Sequence, residues 1–246
     1  MGNKYSKTIS RYLGMFRGDK VLSIIPARKG SKSLPNKNIL ELNGKPLIHW
    51  TIKSSLNCSF IDDTLITTDS NQILKYGKNF GVLLRERPKK LARDNTSMIE
   101  VLKNLFEKEP DLIKKYGFLI LLQPTSPLRT EKHITKSFIE FEKKKTSDSL
   151  ISGVEVDNSG LKNLIQGKNG FLKEIDSYGF FSINRQLLPK LFKPNGAIYI
   201  IKIKEFLSNG KLITKNTMPF KMTFEDSIDI DSLEDFNRIE KILKSI

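Results

Sequence analysis

The chain is poor in the residues that build disulfide frameworks and metal clusters. Its 246 residues include one cysteine, Cys58, and two histidines, His49 and His133. One cysteine excludes an internal disulfide, and so few Cys and His exclude a Cys/His zinc site. Acidic residues are scarce too: 27 against 42 Lys and Arg, a formal charge of +15. No apolar run approaches the ~20 residues of a membrane helix, so no stable membrane insertion is expected. What is present, 38% hydrophobic and 28% charged residues, fits a globular chain with its own core. The length suits one large α/β domain, or one domain with a small appendage. Cys58 reads as a small core residue, and the expected setting is a reducing cytoplasm.

The basic charge invites a nucleic-acid reading. The charge is dispersed, however, and aromatics do not interleave with basic residues as a stacking platform requires. A basic field equally attracts a small polyanion. Residues 1–20 stand apart, with Lys4, Lys7, Arg11, Arg17 and Lys20 opposed only by Asp19. They read as a basic extension before a domain over residues 21–246. Met1-Gly2 with Ser6 matches a myristoylation pattern, a short one that chance also produces. The stretch lacks the apolar core of a secretory signal.

The most informative stretch is residues 24–38. A short apolar run over 21–25 empties into a loop holding Arg28, Lys29, Lys32 and Lys37, with Gly30 and two prolines. Cations straight after a buried strand make a polyanion cradle, and Gly30 lets the backbone approach a ligand. The obvious ligand is a nucleoside triphosphate; the bland alternative is a solvated basic loop. The loop is neither a Walker A loop nor G-x-G-x-x-G.

Strand and helix patterns then alternate. Strands are expected over 64–69, 81–84, 118–122, 150–154 and 197–203, with a further one over 227–231. Helices are expected to about 56, over 72–79, 96–107 and 131–143, and at the close. A fully apolar run such as 118–122 suits a central strand covered on both faces. The sum is α/β, a mostly parallel central sheet with helices on both faces. Ligands in such sheets bind beyond the carboxyl ends of the strands. Residues 155–195 show no clean period and read as an excursion from the sheet. His49, on the first helix, reads as structural. Asp94 reads as a cap for the helix after it. Asp229 and Asp231, two apart on an expected strand, project from one face. Beside a triphosphate they make a magnesium site.

Five separated segments resemble the acylneuraminate cytidylyltransferase (CMP-sialic acid synthetase) family. They are residues 25–38, Gly44-Lys45-Pro46-Leu47, Arg87-Pro88 with Leu91-Ala92 and Asp94, residues 122–129, and Arg185-Gln186 through Pro194-Asn195-Gly196-Ala197-Ile198-Tyr199. Asp229-Ile230-Asp231 completes the order. The resemblance implies a Rossmann-like nucleotidyltransferase fold with a small dimerisation excursion at about 155–195. The implied reaction joins CTP and a nonulosonic acid, releasing pyrophosphate, with Mg2+ or Mn2+.

The resemblance also implies roles. Arg28, Lys37 and Asp231 are the catalytic residues. Ser31, Lys32, Asn38, Arg87, Thr96 and Ser97 hold CTP, with Arg87 near the cytosine. Gln123, Lys162, Arg185 and Tyr199 contact the sugar acid, and Lys162 and Arg185 do so across a homodimer. Asp229 and Asp231 hold the metal. The family often has Ser where this chain has Met98, and Gly where it has Ser33. An N-acyl pocket would fall near Leu212-Ile213. Acceptors left open are N-acetylneuraminate or a relative, or legionaminic, pseudaminic or deoxy-octulosonic acid. A catalytically silent RNA- or membrane-associated protein of the same fold is the non-enzyme alternative.

Overall fold

The computed structural model describes residues 19–31, 33–175 and 178–245. Lys32 and residues 1–18, with the myristoylation pattern, lie outside the described residues.

Seven strands form the main sheet: β1 (Lys20–Pro26), β2 (Asp63–Thr68), β3 (Leu83–Glu86), β4 (Tyr116–Leu121), β5 (Ser149–Val156), β6 (Leu191–Lys202) and β7 (Thr217–Lys221). Their spatial order is β7-β5-β6-β4-β1-β2-β3. β4, β1, β2 and β3 run parallel to one another, as β7 does to β5. β6 is antiparallel to both β4 and β5. The sheet is therefore mostly parallel, as expected.

Alternation along β1 shows why both faces are covered. Val21 and Ile25 join one core with Ile48 and Ile52 of α1 (Leu47–Leu56), Ile73 of α2 (Asn71–Lys78) and Phe138 of α5 (Glu131–Lys143). Leu22 and Ile24 face the other core, with Leu102 and Phe106 of α3 (Met98–Lys108), Leu112 of α4 (Pro110–Lys115) and Phe206 of α6 (Ile203–Asn209). Successive strand residues point to opposite faces, so each face buries its own half of the apolar set. A third cluster joins Leu34, Leu47, Leu128 and Ile230 to Phe236 and Ile239 of α7 (Leu233–Ser245). It ties the basic loop, the loop after β4 and the Asp229–Asp231 segment into one rim.

Four expectations change. Residues 227–231 form no strand; the Ile230 N–H ties this segment to the loop after β4, donating to the Thr125 carbonyl at 2.9 Å. Strand pairing goes instead to β7, whose Pro219 is tolerated at a sheet edge. β3 sits two residues later than its pattern suggested. β6 begins at Leu191, and its register breaks between Pro194 and Tyr199, where Gly196 has φ +76°.

The excursion from the main sheet spans only the residues between Val156 and Leu191, since residues 155–156 and 191–194 of the expected excursion pair within the sheet. It holds a short hairpin, Leu164–Gln166 with Leu172–Glu174, and single 3-10 turns. Pieces this short carry no readable period. Tyr178 and Phe181 are exposed, so neither belongs to this chain's core.

Candidate active site

The basic loop is held from several sides. Ala27 N–H donates to the Thr67 carbonyl at 3.0 Å, and Lys29 N–H to Asp69 Oδ1 at 2.7 Å. Asn38 Nδ2 donates to the Arg28 carbonyl at 2.9 Å, bracing the turn made by Asn36 at φ +55°. The loop lines a cleft of about 280 Å³ at the carboxyl ends of β1 and β4. Arg28, Ser31, Lys37, Asn38, Arg87, Thr96, Gln123, Asp229 and Asp231 all reach that cleft. Residues from both ends of the domain thus converge on one rim, as the topology requires.

Two ion pairs flank the cleft. Arg28 Nη1 pairs with Asp94, which also lines the wall. Lys37 is 9% exposed, and its Nζ donates to the Ile230 carbonyl at 2.5 Å and to Asp231 Oδ1 at 3.2 Å. The two cations assigned to phosphate are thus each held by a carboxylate of the chain. Arg87 is buried; its Nη2 donates to the Thr67 carbonyl at 3.0 Å, while Nε has no partner among the described residues. Burial pulls this guanidinium down to about 10, with Asp69 opposing and Arg28 adding to the effect.

Asp229 and Asp231 face the cleft from an extended loop. Burial, then the charge of Asp231, raises the Asp229 carboxyl above its usual range, although Thr125, Ser126 and Lys37 counteract this. No group of three or more His, Cys, Asp or Glu among the described residues makes a protein-only metal cage. Two like-charged carboxylates beside a basic loop nevertheless fit a divalent cation completed by phosphate oxygens and water.

Some expected contacts are not in the cleft. Ser97 is the N-cap of α3, in a reciprocal capping box with Glu100. Asp94 is therefore not that cap, which corrects the expectation; its carboxylate goes to Arg28. Lys162 lies in the 3-10 turn Ser159–Lys162, and Arg185 pairs with Asp157 at 2.8 Å. Neither lines the cleft of its own chain. Tyr199 sits on β6 opposite Leu121, its phenol raised by burial and by nearby Asp229. Leu212 packs in one cluster with Met98 and Tyr199, and Ile213 is exposed. Met98 also lines the cleft.

A family model for cytidylyltransferase matches residues 22–173. The chain is 32% identical over 225 residues to N-acylneuraminate cytidylyltransferase of Escherichia coli O18:K1:H7, covering 88% of this chain and 50% of that protein. It spans about half the length of the N-acylneuraminate cytidylyltransferases it matches from Escherichia coli and Streptococcus agalactiae. It is also 32% identical over 236 residues to CMP-N,N'-diacetyllegionaminic acid synthase of Legionella pneumophila, covering 92% of this chain and 97% of that one. Its fold matches CMP:2-keto-3-deoxy-manno-octonic acid synthetase complexed with CTP at a TM-score of 0.67, with 15% identity over 92% of this chain and 99% of the other.

Proposed function

Because the chain belongs to the cytidylyltransferase family, we propose that it transfers CMP from CTP to the anomeric hydroxyl of a nonulosonic acid. The hydroxyl oxygen attacks the α-phosphorus, and the bond to the leaving pyrophosphate breaks. The observation that carries this reading is the rim where Arg28, Lys37 and Arg87 meet Asp229 and Asp231. Triphosphate chemistry calls for that set: fixed cations for phosphate oxygens and a carboxylate pair for a metal. Arg28 and Lys37 exchange their internal carboxylates for phosphate oxygens. Arg87 holds the base end of the cleft, and Gln123 the acceptor end. Asp229 and Asp231 are the residues to hold Mg2+ or Mn2+, which when bound supplies charge neutralisation at the phosphates.

The acceptor is N-acetylneuraminate or a close relative. Legionaminic acid is favoured as the second reading by the end-to-end match to the Legionella enzyme. Exposed Tyr178, Phe181 and Leu187 support a homodimer in which the excursion brings Lys162 and Arg185 to the neighbour's cleft. The enzyme works in the cytoplasm, where CTP is made. Pyrophosphate release from CTP and magnesium with a panel of nonulosonic acids tests the assignment. Release with at least one sugar is expected, and no release with any of them sinks it.

A further inference from the structure

Arg129 heads the largest side chains that are wholly sealed from solvent, at 0% exposure. A guanidinium is costly to bury unless charge or hydrogen bonds compensate. Burial brings it down to about 10, opposed among the described residues by the Cys58 thiol. No carboxylate bonds to it among the described residues, and its Nε has no partner. An apolar side chain would fill the same volume without this cost.

The bonds Arg129 does make are directional. Nη2 donates to Thr51 Oγ1 at 2.6 Å, and Nη1 reaches the Ala197 carbonyl at 3.4 Å. Thr51 is itself wholly buried, and its hydroxyl passes the chain on to the Gln123 carbonyl at 3.5 Å. Ser54, three residues along the same face of α1, donates to the Arg129 carbonyl at 2.9 Å. Helix α1 therefore grips Arg129 at both its side chain and its backbone.

The two backbone segments held by this relay meet at Gln123 and Gly196. Gln123 lies against Gly196, where a Cβ would sit 3.2 Å from Gln123 Oε1. Gly196 also adopts φ +76°, which an L side chain rarely takes. The Gln123 side chain thus rests on a bare backbone, while its own carbonyl is held by Thr51 and the carbonyl after Gly196 by Arg129.

We infer that Thr51 and Arg129 form a buried positioning pair that seats Gln123 on Gly196 and so sets how the acceptor lies in the cleft. This rests on the proposed function in one respect, that Gln123 faces the sugar acid. Neither Thr51 nor Arg129 lines the cleft, so both act through Gln123.

Thr51→Val keeps the volume and removes both hydrogen bonds of the hydroxyl. Steady-state kinetics on the full chain should show the acceptor KM raised about three- to tenfold, the scale of one lost buried hydrogen bond. CTP affinity, measured separately by calorimetry, should stay within about twofold, and Thr51→Ser should restore the acceptor KM. Should Thr51→Val not fold, Arg129→Lys keeps the charge, loses the fork, and must give the same split. An unchanged acceptor KM, or an equal loss of CTP affinity, overturns the inference. Absence of turnover in the wild type would instead overturn the functional reading beneath it.

Discussion

Asp94→Asn probes the cleft most simply. Arg28 is held by Asp94, with side chains 31% and 41% exposed. A nucleotide that takes Arg28 must first break that pair. Partly exposed ion pairs contribute about 0.2–1 kcal/mol. Removing the competing charge should therefore tighten CTP binding by up to about fivefold. Calorimetry with CTP, without metal and then with magnesium, reads this directly. The gain should shrink at higher ionic strength, because the pair is screened. It should vanish in an Arg28→Gln background, where nothing remains to compete for. Weaker CTP binding by Asp94→Asn would mean that Asp94 orients Arg28 rather than occupying it. A gain that persisted without Arg28 would reduce the effect to overall charge. Either result refutes the exchange at Arg28.

Asp231→Asn should keep the fold and lose about 100-fold or more in kcat, as expected when charge stabilisation at the phosphates is lost; full activity at limiting magnesium would remove Asp231 from the metal site. Arg185→Ala should raise the sugar KM about tenfold with little change in the CTP KM, and equal changes would exclude Arg185 from the sugar pocket. Asp229 titrates above its ordinary range because of burial and Asp231. Its favourable contribution is therefore present below the ordinary carboxylate pKa and lost as pH rises through the raised value. Asp229→Asn should accordingly raise the Tm of the metal-free protein by a few degrees at neutral pH, and not in acid. A lower Tm at neutral pH would contradict the assigned direction.

Much of this arrangement was legible in the sequence because local signals agreed with the global fold. The apolar runs before Arg28 and Gln123 mark strands buried on both faces, and the loops after them fall on one rim by topology. Where legibility failed, the cause was local resemblance or long range. Asp229-Ile230-Asp231 alternates like a strand, yet no strand of the sheet pairs with it, and β7 takes the edge. Asp94 is a capping type near a helix start, but Ser97 with Glu100 three residues on is the fuller capping signature. The Arg28–Asp94 pair spans 66 residues and leaves no trace in either segment alone. Arg129 looks like any loop cation until Thr51 and Ala197 are brought to it.

The central claim is the transfer of CMP to a keto-sugar acid. Its most direct measurement is mass spectrometry of the products formed from CTP, magnesium and a mixture of N-acetylneuraminic, legionaminic, pseudaminic and deoxy-octulosonic acids. A single CMP-linked sugar, formed in step with pyrophosphate, is the predicted result. CTP that stays intact beside every acceptor, or that is merely hydrolysed to CMP, would contradict it.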